Sequence, residues 1–167
     1  MNDVLLDAFR HNSWATKQLL AVCRNLSEEH LTVGVPSSFG SIVATFNHVI
    51  RSDAGYLRSL AGTAPTWLLD RAETADFDQL HQRVEETERN WERFLTEPLD
   101  AERVLILDHG TYEAHASVLI AQALHHGNAH REQICAMLTG FGVEPPDIQA
   151  WAYAHATGRG RERRPDH

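Results

Sequence analysis

The chain has 167 residues, 43% of them apolar and 23% charged, and its formal net charge is −8 with histidine neutral. This length and composition predict one globular domain with a sizeable core. The negative charge argues against nucleic acid and an anionic membrane surface as partners, because binding to either normally needs a basic surplus.

The N-terminal residues lack the apolar stretch of a signal peptide, and no apolar run approaches the length of a membrane span. The two cysteines, Cys23 and Cys135, lie beside apolar residues in predicted helices. That setting indicates buried free thiols rather than a disulfide framework. We therefore expect a cytoplasmic protein.

Four long amphipathic helices are predicted, because apolar residues recur every three or four positions in four stretches. These stretches cover residues 3–26, 38–61, 76–96 and 111–140. Asn2 or Asp3 is suited to cap the first helix and Ser38 or Ser41 the second, which Gly62 ends. Helices of this number and kind predict an all-α four-helix bundle.

The links between these helices carry further signals. Residues 63–76 form a long connection that could cover the mouth of a pocket, and residues 103–107 predict a short strand or hairpin before the fourth long helix. A short fifth helix is predicted to start near Glu144, with Trp151 and Tyr153 docking it on the bundle. We expect one domain over residues 1–157 and a mobile polar tail over residues 158–167.

Two histidines occupy the apolar seam of the fourth long helix. His126 and His130 lie four residues apart, at positions where leucine or isoleucine would normally face the core. Residues at i and i+4 stack on one face of a helix, so both imidazoles can reach one metal ion. Chance pairs are common in a chain with 11 histidines, so the position on the seam is the stronger argument.

A third imidazole is available from the second long helix. His48 is surrounded on its helical strip by small residues, among them Ala44, Ser52 and Gly55, which leave room for a bound group. Three imidazoles with an open coordination position are typical of a catalytic rather than a structural metal. The ligands do not choose among Zn²⁺, Ni²⁺, Cu²⁺ and Fe²⁺. Both hydrolysis by activated water and attack by an activated thiolate are chemically open.

The alternative is that His48, His126 and His130 are hydrogen-bonded core residues with no metal.

The other histidines have weaker patterns. His125 points about 100° away from the seam, so we interpret it as flanking or supporting. Surface positions are predicted for His11, His30 and His81. Solvated positions are expected for His109, His115 and His155, with a place at a pocket rim as the alternative. Asp53 is interpreted as a salt-bridge partner, and the four tryptophans as core or docking residues.

The sequence resembles the DinB/YfiT-like superfamily of metalloenzymes over nearly its whole length. Two motifs carry the resemblance most specifically. One is Thr45-Phe46-Asn47-His48 with Asp53 five residues on; the other is His126-Gly127-Asn128-Ala129-His130-Arg131-Glu132-Gln133-Ile134. Many members have histidine or tyrosine just before the last ligand, where this chain has Ala129.

The resemblance implies an up-down-down-up four-helix bundle, commonly dimeric, with zinc or nickel held by His48, His126 and His130. Members with known activity include thiol-dependent S-transferases and a mycothiol-dependent isomerase. We therefore expect an enzyme in which a metal-activated low-molecular-weight thiol attacks a small electrophilic substrate. A metal-dependent hydrolase and a non-catalytic, metal-stabilised dimeric binding module are the alternatives. No residue is assigned as general base.

Overall fold

A computed structural model describes residues 3–36, 38–69 and 74–163 of the chain. Within them, four long helices dominate, joined by two short helices, 3-10 turns and one hairpin. The elements are α1 (Asp3–Cys23), α2 (Glu28–Thr32), α3 (Ile42–Ala61), a 3-10 turn (Thr66–Leu69), α4 (Phe77–Thr96), β1 (Val104–Leu107), a 3-10 turn (Asp108–Gly110), β2 (Tyr112–His115), α5 (Ala116–Gly140) and α6 (Ala150–Ala156). The all-α fold class is confirmed.

Two apolar clusters show how the four long helices run. The first joins the starts of α1 and α5 to the ends of α3 and α4; it includes Leu6, Phe9, Leu57, Leu60, Trp91, Leu95, Ala116 and Leu119. The second joins the opposite ends; it includes Leu19, Cys23, Ile42, Phe46, Leu80, Val84, Ile134 and Leu138. The helices α1 and α5 therefore run one way and α3 and α4 the other, as the up-down-down-up prediction requires.

Neighbouring helices in space are mostly not neighbours in sequence. Helix α1 packs against α4 and α5, and α3 packs against the same two helices. The α3–α5 contact brings His48 beside His126 and His130.

Local capping sets the helix boundaries. Ser41 Oγ accepts a hydrogen bond from the Ala44 amide at 3.2 Å, so α3 starts after Ser41 rather than Ser38. Ser38 instead donates to the loop carbonyls of Val35 and Gly40, both at 2.7 Å. Gly62 ends α3 in the left-handed conformation (φ 73°), as predicted.

The hairpin extends further than the sequence indicates. The strand β1 pairs antiparallel with β2 from Val104 opposite His115 to Leu107 opposite Tyr112. Helix α5 therefore starts at Ala116, five residues later than predicted, because the pairing holds the preceding residues extended. Three successive positive φ angles close the turn, those of Asp108, His109 and Gly110.

Two smaller predictions need correction. Helix α1 ends at Cys23, and Ser27 caps the short helix α2, which the sequence reading missed. At the other end of the chain, Tyr153 is buried and its ring packs against Trp14, but Trp151 is 77% exposed, so its predicted docking is wrong.

The chain ends are described only in part. Arg159, in the predicted mobile tail, forms an ion pair with Asp7 of α1. Mobility of the tail stays a prediction, as does the boundary at residue 157. Residues 164–167 and the candidate cap Asn2 lie outside the described residues.

Both cysteines are free thiols, as predicted; Cys23 is buried and Cys135 is half-buried. Burial raises the pKa of Cys23 to about 12 and that of Cys135 to about 11, and neither is in a disulfide. Both thiols are therefore protonated and unreactive at neutral pH. In the part of the chain that the structure describes, no helix has both the length and the apolar character needed to cross a bilayer.

Candidate metal centre

The three histidines predicted from the sequence meet between α3 and α5. Each offers a ring nitrogen, and these three atoms lie within 4.8 Å of one another. His48 Nε2 and His126 Nε2 are 3.0 Å apart. Among the described residues, these three alone form a group of potential metal ligands at such spacing. We call them the histidine triad.

Packing around the histidines explains their convergence. On α3, His48 lies between the buried residues Thr45 and Val49. On α5, the seam of His126 and His130 continues into buried Ala123 and Ile134. These apolar neighbours fix the facing sides of the two helices, so the imidazoles are aimed at each other by the same contacts that form the core.

Gln133 orients one of the rings. The side-chain oxygen of Gln133 lies 2.8 Å from His130 Nδ1. Because an amide oxygen only accepts, this contact assigns the proton to Nδ1 and leaves the lone pair of Nε2 available for a metal. Sequence reasoning gave Gln133 no role, although it stands one turn after His130, where such a contact is possible.

Burial disfavours the charged form of two of the three histidines. It is the main cause that lowers the pKa of His126 to about 4, and the neighbouring His130 and His48 act in the same direction. Burial, aided by His130, also lowers the pKa of His48. Neutral imidazole is the form that binds metal ions.

Two aromatic rings flank the triad. Phe39 stacks on His48 with ring centroids 3.7 Å apart and meets His130 edge-on at 5.6 Å. Tyr56 contacts His126 edge-on at 5.6 Å. Phe39 was not a candidate from sequence, because it was assigned to the start of the predicted helix 38–61, whereas in the structure it lies in the loop before α3.

A buried polar cluster lies directly behind the triad. Arg131 is buried, and its Nη1 donates to Asn12 Oδ1 at 2.6 Å, to the Asn12 carbonyl at 3.3 Å and to Thr16 Oγ1 at 3.4 Å. Gly127 lets the helices approach here, since a Cβ on it would lie 2.6 Å from Asn12 Oδ1. We call Asn12, Thr16, Gly127 and Arg131 the Asn12–Arg131 cluster.

Asp53 belongs to the bundle interior rather than to the triad. The sequence predicts a salt bridge; in the structure its Oδ1 accepts a hydrogen bond from Trp91 Nε1 at 3.0 Å. Burial raises the pKa of Asp53 to about 6, while the Trp91 hydrogen bond and the charge of Arg131 oppose that rise. Asp53 therefore links α3 to α4 beside the Asn12–Arg131 cluster.

The remaining histidines do not join the triad. His125 is exposed, as are His109, His115 and His155. His115 Nδ1 is 2.9 Å from Glu102 Oε2. The predicted surface position of His11 is wrong: it is half-buried, and its Nε2 lies 2.8 Å from the carbonyl of Ile148.

The donor set fits a divalent metal ion. Ligand atoms 2.0–2.1 Å from a tetrahedral zinc lie about 3.4 Å apart. One pair of triad nitrogens is 3.0 Å apart and all three lie within 4.8 Å of one another, so their separations are close to that spacing. Imidazole donors suit Zn²⁺ and Ni²⁺ equally well. The role of His48, His126 and His130 as ligands remains a prediction that this geometry supports.

Fold and site together define a four-helix bundle with three histidines converging from two helices. A sequence model of the DinB family matches residues 1–164, and the chain therefore belongs to the DinB family. It is also similar to Protein DinB of Bacillus subtilis (strain 168), with 26% identity over 172 residues that cover 94% of this chain and 98% of that protein. The resemblance found in the sequence motifs is confirmed.

Proposed function

We propose that this protein is a metalloenzyme in which His48, His126 and His130 hold a divalent ion, zinc or nickel, and a low-molecular-weight thiol attacks a small electrophile. The observation that carries the proposal is the convergence of three ring nitrogens within 4.8 Å, without a fourth ligand from the described residues. Such an ion keeps positions for an exogenous ligand, and it lowers the pKa of a thiol or water bound there.

The residues around the triad support chemistry on a bound molecule. Phe39 and Tyr56 shield two sides of the imidazoles and narrow the approach to them. The hydrogen bond from His130 Nδ1 to Gln133 holds the ring in place. It therefore keeps Nε2, the nitrogen that would bind the metal, directed toward the other two histidines. The lowered pKa values of His48 and His126 favour the neutral rings that a metal ion needs.

The reaction is a substitution at carbon. The thiol sulfur forms a bond to the electrophilic carbon, the bond from that carbon to its leaving group breaks with its electron pair, and the thiol proton passes to solvent. This balance needs no oxidant or reductant. A water-based hydrolase commonly uses a carboxylate base beside the metal, and Asp53 is engaged by Trp91 instead. That difference favours the thiol over the hydrolytic alternative.

The test starts from full-length protein purified without an affinity tag or chelator. We expect about one zinc or nickel per chain by elemental analysis. With cysteine, glutathione or coenzyme A as the thiol and 1-chloro-2,4-dinitrobenzene as the electrophile, we expect thiol-dependent turnover. His48→Ala, His126→Ala and His130→Ala should each lose metal and turnover, while His155→Ala, which changes an exposed histidine, should keep both.

Three outcomes separate the candidate functions. Full turnover by a metal-free His126→Ala protein would remove the metalloenzyme proposal. Hydrolysis of 4-nitrophenyl acetate without any thiol dependence would favour the hydrolase. A thermal shift on adding thiols, with no turnover, would favour a binding module. We also propose a cytoplasmic homodimer, and sedimentation velocity of the same sample measures the dimer directly.

A further inference from the structure

A solvent-open groove of about 1200 Å³ lies along α3 and α5. Its other side is formed by the hairpin of β1 and β2 and by the Thr66–Leu69 turn. Tyr56 lines the groove, and its ring meets the His126 ring edge-on with centroids 5.6 Å apart. A molecule that contacts Tyr56 in the groove is therefore separated from the histidine triad by a single side chain.

The walls of the groove carry large apolar side chains that are exposed. Leu69 is 68% exposed, Ile106 70%, Tyr112 56% and Val118 55%. They belong to four different elements, namely the Thr66–Leu69 turn, β1, β2 and α5, yet they line one concave surface. Covering such side chains removes apolar area from water, so the groove favours a ligand with an apolar body.

The charges along the groove do not select a ligand of either sign. Arg58 and Asp108 both line it, are both exposed, and are opposite in charge. Arg51 also lines the groove, but the protein already engages it, since its Nη1 donates to the Leu68 carbonyl at 2.9 Å. A charged ligand would lose hydration against the apolar walls without a dedicated counter-ion, whereas an uncharged ligand has no such cost.

Gly55 leaves open space in the groove beside Tyr56. It lies inside α3 and lines the groove, and a Cβ added to it would meet nothing within 4 Å. A larger side chain at this position therefore occupies the groove without disturbing the packing of α3. This makes Gly55 the position from which the groove can be filled while the bundle stays intact.

We propose that this groove binds the electrophile of the proposed reaction, and that the electrophile is an uncharged, largely apolar molecule with a halide as leaving group. Its apolar body covers Ile106 and Val118, and its reacting carbon lies at the Tyr56 end. There the thiol sulfur forms a bond to that carbon, the halide departs with the electron pair of the broken bond, and the thiol proton passes to solvent. The inference rests on the proposed function for this chemistry, but binding in the groove requires no metal.

Fluorescence titration of the metal-free full-length protein tests binding without turnover. The matched probes are methyl 2-naphthoate, which is uncharged, and 2-naphthoate, which has the same ring system and a negative charge. We expect the ester to bind at least fivefold more tightly. Gly55→Leu should weaken ester binding at least tenfold, because the new side chain occupies the groove. Gly140→Leu is the matched control and should bind like the unmodified chain, since Gly140 is an exposed helical glycine outside the groove with equally open space at its Cβ.

Turnover of an uncharged halide connects the groove to the triad. With zinc-loaded protein and cysteine, glutathione or coenzyme A, we expect 2-(bromomethyl)naphthalene to react faster than it does without enzyme. After subtraction of the uncatalysed rate, kcat/KM should be at least tenfold lower in Gly55→Leu than in Gly140→Leu. Zinc content should be equal in the two variants, because neither substitution touches a residue of the triad.

The outcomes distinguish a failure of this inference from a failure of the proposed function. Ester binding that survives in Gly55→Leu, or carboxylate binding as tight as that of the ester, would overturn the inference even where turnover is intact. A dimer that Ile106→Ser converts to monomer, with no ester binding, would also overturn it, because a second copy of the chain would then cover the groove. Ester binding as expected, with no thiol-dependent turnover by the zinc-loaded protein, would instead overturn the thiol reaction and leave the ligand class of the groove standing.

Discussion

The histidine triad and the Asn12–Arg131 cluster lie on the same helix, and His130 and Arg131 are adjacent residues. In the cluster, Arg131 is buried and Nη1 has three protein acceptors, although its Nε has no hydrogen-bond partner in the structure. In the triad, the half-buried rings face one another. The cluster links α1 to α5 by hydrogen bonds within the protein. Under the proposed function, the triad instead directs its ring nitrogens at a bound ion. We therefore expect the cluster to contribute to stability and the triad to contribute to activity.

The substitution Arg131→Met should distinguish the two regions most clearly by its effect on stability. Removing the guanidinium leaves Asn12 Oδ1 unpaired and takes a compensating charge from Asp53, so we expect the free energy of unfolding to fall by about 3 kcal/mol. Urea denaturation of metal-free protein measures this. His130→Ala, one residue away, should change it by less than about 1 kcal/mol. A similar loss in both variants would contradict the division between the two regions.

Zinc should stabilise the fold only through the triad. At a free zinc concentration of 100 times Kd, mass action adds about 2.7 kcal/mol to the free energy of unfolding. We expect this gain in the unmodified chain and in Gly55→Ala, and its absence in His126→Ala. Urea denaturation with and without buffered zinc measures it. An equal gain in His126→Ala would place zinc elsewhere.

Two glycine substitutions probe the packing of the cluster. In Gly127→Ala, the added Cβ meets Asn12 Oδ1 at 2.6 Å and Arg131 Nη1 at 3.0 Å. We expect a loss of about 1–3 kcal/mol from overpacking. Gly55→Ala is the matched control, because it lies inside α3 with nothing within 4 Å of its added Cβ, and better helix propensity should stabilise it by about 0.5–1 kcal/mol. Thermal denaturation should give shifts of opposite sign; a stabilised Gly127→Ala would show that the cluster is loosely packed.

The last prediction is a pH dependence of the metal-free fold. Because the pKa of His126 falls from 6.5 to about 4 on folding, the unfolded chain binds a proton first as the pH drops. Stability should therefore decline between about pH 6.5 and 4, with no further contribution from His126 below that range. Unfolding free energies at pH 7.0, 5.5 and 4.5 measure the decline. His126→Gln should flatten it, and an unchanged profile in that variant would contradict the assignment.

The sequence was sufficient for the features that depend on periodicity. The four long helices, their topology and the convergence of the triad follow from regular apolar spacing and from the family motifs. Helix starts were less predictable. The start of α3 depends on which serine caps it, and Ser41 does so rather than Ser38. The start of α5 depends on the hairpin, because strand pairing continues to His115 and delays the helix that was predicted from Thr111.

Contacts between distant segments could not be predicted. Phe39 stacks on His48 from a loop. Asn12 Oδ1 accepts a hydrogen bond from Arg131, which lies 119 positions further along the chain. Asn12 is a polar residue within the predicted first helix, residues 3–26. No local sequence pattern predicts that Asn12 pairs with Arg131, because the packing of α1 against α5 determines this contact.

The helix order has a consequence for how the protein is made. The pairings of α1 with α5 and of α3 with α5 both need the last long helix, and α1 and α3 lie diagonally apart. During synthesis, a nascent chain that stops short of α5 carries one imidazole of the triad, that of His48. The three rings can therefore converge only after His130 has been added, and we expect a truncation before α5 to remove the triad.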